Sequence, residues 1–172
     1  MLKVIIIFLI VFVLGVTIYN NYPPQTSLPD NITIDSLVVL KSQRQLLVFS
    51  RRQLIKTYKI ALGGNPTGDK KFEGDRRTPE GLYVINDKNA NSSFHKNLGV
   101  SYPNPQDIQE ANAVGQPPGG DIKIHGLKNG LGLMGKLHRL TDWTNGCMAL
   151  TNPEIDELFA HTPIGTPINI EK

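Results

Sequence analysis

Apolar residues fall into one unbroken block near the N-terminus and then into short, partly alternating runs. Residues 4–18 follow Lys3 with no charge and with Thr17 as their polar side chain. A helix over this run covers roughly 23 Å at about 1.5 Å per residue, and Leu2 and Tyr19 extend it towards the ~30 Å of a hydrocarbon core. Lys3 predicts a cytoplasmic N-terminus and an exported body, and Tyr19 and Tyr22 suit the membrane interface. No small-x-small cleavage pattern stands near residues 15–20, so residues 1–22 read as a signal-anchor, with a cleaved signal peptide as the alternative. Residues 23–31 carry Pro23, Pro24 and Pro29 among polar side chains and read as a linker.

Past the linker the apolar period shortens to that of strands. Residues 32–40, 46–50 and 54–62 predict three strands joined by short polar turns, an antiparallel meander. Residues 82–86, 121–125 and 166–170 predict three more. Residues 87–120 read as a long turn-rich loop with an extended stretch at 98–102, of the kind that binds or covers a ligand. One helix is expected at 153–160. Asn152 is placed to cap it, Pro153 suits its first position, and Glu154 and Asp156 suit its positive end. Ile155, Leu158 and Phe159 share one face, and His161 is expected to close the C-terminal end. The pattern predicts a mostly β domain over residues 32–172 with one or two short helices, preceded by a hydrophobic helix.

Composition narrows the class. Of 172 residues, 40% are hydrophobic and 19% charged, which suits one packed domain rather than a disordered chain. The net charge of +3 is spread among interleaved acids and bases, which excludes a nucleic-acid surface and is compatible with an anionic wall or membrane surface. The chain has one cysteine, so an intramolecular disulfide is impossible. Cys147 is therefore either a buried bystander or a working thiol.

Cys147 stands in Asp142-Trp143-Thr144-Asn145-Gly146-Cys147, downstream of His125-Gly126 at the end of an expected strand. A thiol becomes a good nucleophile when a base takes its proton, and a histidine from another segment is the usual supplier. A papain-like arrangement places Cys before His and is disfavoured by the order here. A zinc hydrolase would draw on His95, His125, His138 and His161, but no H-x-x-x-H or H-E-x-x-H spacing exists, so no metal and no cofactor is expected. His138 reads as a surface or loop residue. His95 reads as structural or cleft-lining, and Trp143 as packing or a substrate platform.

The pattern His125-Gly126, Thr144-x-Gly146-Cys147, Leu150-x-Asn152 and Gly165-Thr166-Pro167 resembles the L,D-transpeptidase catalytic domain (YkuD-like) family. Asp75-x-Arg77-Thr78-Pro79-Glu80-Gly81-x-Tyr83 matches a further family segment. Ser93-Phe94-His95 and Ser101-Tyr102-Pro103-Asn104 resemble its murein L,D-transpeptidase-like branch. The resemblance implies a β-sandwich or barrel and an exported acyl-transfer enzyme. Its partners would be peptidoglycan stem peptides, with the membrane held through residues 2–19. Cys147 would be the nucleophile and His125 the base, oriented by Gly126 or Thr144. Gly146 would help form an oxyanion hole. Arg139, Arg77, Tyr102 and Asn145 are the expected substrate contacts, Arg139 being preferred for a carboxylate and Lys123 an alternative. Two departures stand out: Asn145 replaces the family's usual His, and Met148-Ala149 follow the cysteine where many members carry Arg. Transfer, hydrolysis of the same bond, and wall binding without catalysis all remain open readings.

Overall fold

The computed structural model describes residues 1–21 and 26–172, so Tyr22 and residues 23–25 of the expected linker lie outside it. Helix α1 spans Leu2–Asn21. The strands are β1 (Ser36–Leu40), β2 (Gln45–Ser50), β3 (Gln53–Lys59), β4 (Gly81–Ser92), β5 (His95–Val100), β6 (Lys123–His125), β7 (Met148–Ala149) and β8 (Pro167–Glu171). Helix α2 is Pro105–Ala113 and α3 is Asn152–His161; a 3-10 segment, Gly132–Leu140, lies between β6 and β7. Among the described residues these strands form one eight-stranded sheet in the order β3-β2-β1-β8-β4-β5-β6-β7. The fold is a mixed β half-barrel with few helices.

The expected meander is present: β1 pairs antiparallel with β2, and β2 with β3. The C-terminal strand β8 then inserts between β1, to which it runs parallel, and β4, to which it runs antiparallel. Alternation in β1 and β2 buries Leu37, Val39, Leu46 and Val48 against Ile168 and Ile170. That core continues through Ile85, Leu98, Ile124, Met148 and Leu150 to the inner face of α3, where Ile155 and Leu158 are fully buried and Phe159 packs at its edge.

The sheet curls until its ends meet. Just past β3, Ala61 bridges Ala149 of β7, and Gly63 bridges Thr144. Four backbone bonds draw this seam together: Ala61 N–H to Ala149 O (3.0 Å), Ala149 N–H to Ala61 O (2.8 Å), Thr144 N–H to Leu62 O (3.1 Å) and Gly64 N–H to Thr144 O (2.9 Å).

Several expectations need correction. The first strand starts at Ser36 rather than at residue 32; Ile34 is buried but bonds through its N–H to His161 O. Residues 87–120 are not a loop. Strand β4 runs on to Ser92, β5 returns as a hairpin, and α2 follows. Outer β4 is exposed on both faces, so Asp87, Lys88, Asn89 and Asn91 carry no apolar alternation for sequence reading to detect. Helix α2 is capped by Asn104, whose side chain accepts from the N–H groups of Gln106 and Asp107. Helix α3 is preceded by Thr151 rather than capped by Asn152. The Glu154 carboxylate accepts from the Thr151 N–H (3.0 Å) and hydroxyl (2.7 Å), while Asn152 Oδ1 accepts from Leu127 N–H (2.9 Å).

Residues 65–80 hold together around buried charge. The Lys41 ammonium, 2% exposed, donates to Gly68 O (2.6 Å), Thr78 O (2.8 Å) and Glu80 Oε1 (2.8 Å). The Lys70 ammonium donates to Phe72 O (3.0 Å) and Asp75 Oδ1 (2.9 Å). Burial pushes the Asp75 carboxyl up, but the Arg77 and Lys71 N–H groups and the Lys70 ammonium hold it below the usual carboxylate range. Removing one member of such a set strands its partners without water. Lys41→Ala is expected to lower unfolding free energy by about 3 kcal/mol, read as an earlier urea midpoint; an unchanged midpoint would show that the three acceptors find other donors.

Candidate active site

Strand β6 lies between β5 and β7, with Asn97 opposite His125 and His125 opposite Ala149. Cys147 is the residue just before β7, so the parallel ladder sets it beside the strand that carries His125. Both residues line one cleft of about 380 Å³, together with Phe94, Asn97, Lys123, Trp143, Asn145 and neighbouring residues.

The turn that presents Cys147 is braced from inside. Thr144 Oγ1 donates to Cys147 O (2.7 Å) and accepts from Gly146 N–H (3.1 Å). Gly146 has φ +126°, and a Cβ there would lie 2.6 Å from Arg77 O, so both backbone shape and space demand glycine. Gly63 meets the same strip: its Cβ would stand 2.2 Å from Arg76 O, and the Gly146 Cα is 3.1 Å away. The segment Asp75-Arg76-Arg77 thus packs directly behind the cysteine turn.

The histidine has a fixed tautomer. The Gly126 carbonyl can only accept, so His125 Nδ1 donates to it, at 2.7 Å. The proton sits on Nδ1 and the lone pair on Nε2, as a base requires. The ring packs against Phe94 (centroids 4.7 Å) and edge-on to Trp143 (5.8 Å); His138 meets the far side of Trp143 at 6.4 Å.

Burial holds the His125 imidazole below its ordinary value, against the Gly126 hydrogen bond and with the Lys123 charge in support. Burial pushes the Cys147 thiol up, opposed by the Lys123 backbone N–H and reinforced by the Asp121 charge. The thiol lies 3.6 Å from Asp121 O, where it donates weakly. Both shifts favour a resting pair of neutral thiol and neutral imidazole.

The structure brings Cys147, His125, Gly126, Thr144, Gly146 and Asn145 together and leaves three expected contacts outside the cleft lining. Arg139 pairs with Glu154, which is 1% exposed at the start of α3. Arg77 donates to Asp69 O (3.1 Å), and its own carbonyl underlies Gly146. Tyr102 is buried; its hydroxyl donates to Pro118 O (2.8 Å) and its ring meets Tyr83 edge-on. The cation in the lining is Lys123, paired with Asp121 at 2.8 Å. Asn97, missed by sequence reading, is 4% exposed with Oδ1 unpartnered. Phe94 is the other omission. Its place in the Ser93-Phe94-His95 motif marked it, but nothing in the sequence said that the β4–β5 turn folds over His125.

The other histidines do not gather at the cleft. His95 bonds to Asp156 (2.8 Å) on α3, and His161 Nδ1 donates to Ile32 O (2.9 Å). His138 is 4% exposed rather than superficial, with neither ring nitrogen hydrogen-bonded. Burial, then the Arg139 charge, lowers it to about 4. Among the described residues no group of three or more His, Cys, Asp or Glu is arranged to hold a metal ion.

A family model described as the L,D-transpeptidase catalytic domain (YkuD) matches residues 34–170. The Escherichia coli (strain K12) protein named "Putative L,D-transpeptidase YafK" is 29% identical over 127 residues, 70% of this chain and 44% of the relative. The crystal structure of the helical cell shape determining protein Pgp2 from Campylobacter jejuni superposes with a TM-score of 0.61 at 24% identity, covering 83% of this chain and 49% of that one. An L,D-transpeptidase (residues 123–326) from Xylanimonas cellulosilytica gives 0.53 at 14% identity, covering 86% of this chain and 65% of that one. The chain spans about half the length of the curated relative it matches.

Two measurements follow from the geometry. Iodoacetamide alkylation of Cys147 is expected to keep rising with pH beyond the ordinary thiol range; a plateau below pH 7 would indicate a preformed thiolate–imidazolium pair. His138 falls from its ordinary 6.5 to about 4, so the unfolded chain takes a proton that the folded chain refuses. Its contribution is intact above pH 6.5 and is lost progressively as pH falls towards 4, by ~3 kcal/mol. His125 shifts in the same direction and adds to the slope. His138→Phe is expected to flatten unfolding free energy against pH in that window, and an unaltered slope would remove His138 as its source.

Proposed function

We infer the function of this chain from one premise: it belongs to the L,D-transpeptidase catalytic domain family. It is an enzyme that carries peptidoglycan stem peptides through a thioester on Cys147. The observation that supports this most is the His125 imidazole, its Nδ1 bound to the Gly126 carbonyl, lining the same cleft as the one thiol.

In the first half-reaction, His125 Nε2 takes the thiol proton as Sγ bonds to the carbonyl carbon of a stem-peptide amide. Because burial disfavours both the thiolate and the imidazolium, charge separation falls to the step in which substrate is attacked. The oxyanion needs N–H donors. Gly146 N–H is already engaged by Thr144 Oγ1, which leaves Cys147 N–H as the donor from this pair. The imidazolium returns its proton to the departing amine as the C–N bond breaks, leaving a thioester. An acceptor amine, or water, then attacks the thioester while His125 takes its proton, and Cys147 leaves as thiol. Amine attack is transpeptidation and water attack is hydrolysis. Lys123, in the cleft lining and paired with the exposed Asp121, is the group suited to a substrate carboxylate; Arg139 and Arg77 lie outside the lining, and Arg139 is held by the buried Glu154.

Helix α1 is apolar, 20 residues long and unburied by the domain, which suits an export signal or a membrane anchor. The anchor reading puts the catalytic domain on the outer face of the cytoplasmic membrane, in the cell envelope. Pgp2 is described as determining helical cell shape, and a comparable role in shaping the wall fits this assignment.

Purified peptidoglycan incubated with the wild-type chain and with Cys147→Ala, read by mass spectrometry, distinguishes the readings. New crosslinks or exchanged terminal residues found with the wild type alone establish a transpeptidase, and shortened stems establish a hydrolase. His125→Ala is expected to slow either reaction by about 10²–10⁴-fold. Products unchanged by loss of Cys147 would leave a wall-binding module.

A further inference from the structure

We propose that the 3-10 segment Gly132–Leu140 is a second membrane contact, seated in the outer interface of the bilayer that α1 spans. The proposal rests on the anchor reading of α1 given above.

The exposed apolar side chains of this segment lack an explanation within the domain. Leu133 is 93% exposed and Leu140 72%, with Leu131 and Met134 about half as exposed as Leu133. These four crowd into ten residues, whereas singly scattered leucines would need no account.

A second observation ties the segment to the membrane helix. The carboxamide of Asn20, in the last turn of α1, accepts from Lys136 N–H at 2.7 Å and reaches Leu133 O at 3.5 Å. The backbone is shaped for this contact: Gly135 has φ +47°, and a Cβ on it would stand 2.5 Å from Asn20 Oδ1. Tyr19 lines a surface hollow together with Arg139, Leu140 and Asp142, so the helix end also lies near the C-terminal end of the segment.

Depth follows from length. Twenty residues at about 1.5 Å each make a helix of roughly 30 Å, the thickness of the hydrocarbon core, so Tyr19 and Asn20 come to the outer interface when α1 spans it. A segment bonded to Asn20 lies at that level. Exposed leucines and a methionine there enter the acyl–headgroup boundary, and the exposed Lys128 beside them suits anionic headgroups. Leu140 lies three residues before Trp143 of the cleft lining, so this contact would fix one wall of the cleft relative to the membrane.

The test uses the full chain in vesicles of phosphatidylethanolamine and phosphatidylglycerol. An environment-sensitive fluorophore is attached to a single introduced cysteine, Leu9→Cys, Leu133→Cys or Gln106→Cys, each in a Cys147→Ala background. Leu133 is almost fully exposed, so labelling there leaves packing intact. The expected result is quenching at position 9 by deep spin-labelled lipid, at position 133 by shallow spin-labelled lipid, and at position 106 by neither. Quenching at 9 with position 133 no different from 106 would overturn the proposal and leave the anchor standing. Position 9 unquenched would remove the anchor, and the proposal with it. Because the readout is not catalytic, it is independent of whether Cys147 transfers or hydrolyses.

Discussion

Everything at the site depends on how the sheet closes. Strand β7 is two residues long, too short to hold a position alone, yet the Cys147 thiol stands at its edge. It is fixed because it is clamped on both sides, by β6 in parallel register and by the chain just past β3 across the seam. The backbone bonds of residues 61–64 to Thr144 and Ala149 hold the cysteine turn as part of the sheet rather than as a loop. A side chain placed by main-chain bonds has little freedom to wander, which is what the proposed nucleophilic role of Cys147 would need.

The closure requires space as well as bonds. Gly63 and Gly146 approach so closely that neither position can accept a Cβ, because the Arg76 and Arg77 carbonyls fill the room behind them. Those carbonyls are positioned by residues 65–80, which have little apolar core of their own. Their order comes from Lys41, Lys70 and Asp75, polar groups whose burial is tolerable because each finds several partners. This charged stretch is the support on which the cysteine turn rests. The resemblance of its Asp75-x-Arg77-Thr78-Pro79-Glu80 run to the family acquires a physical meaning here: the segment supplies backbone carbonyls and buried ion pairs.

Legibility in the sequence followed the range of the interactions. Helix α1, the meander β1–β3, and the apolar face of α3 were readable because local periodicity reports burial directly. The motifs pointed to Cys147 and His125, which line one cleft, and of the two acceptors offered for the imidazole the structure shows the Gly126 carbonyl. Outer β4 was not, since it is held by pairing with β5 while its side chains stay polar, and β5 offered just Leu98 and Val100 as buried apolar positions, read as an extended stretch inside a loop. Arg139 illustrates the other kind of miss. Proximity in sequence to the cysteine turn suggested a substrate contact, but the start of α3 carries a buried carboxylate that needs a cation. His138 was read as superficial for a related reason: nothing local signals that the Gly132–Leu140 segment folds its ring beneath Trp143.

The raised Cys147 thiol also bears on how the residue meets oxidants. Outside the cytoplasm, a thiol meets oxidants and disulfides that the reducing pool of the cell interior would otherwise remove, and the thiolate is the form they attack. Burial that pushes the Cys147 thiol up slows sulfenic-acid formation and mixed-disulfide capture alike. On the proposed export of this chain, the same desolvation would lengthen the life of the thiol in an oxidising compartment.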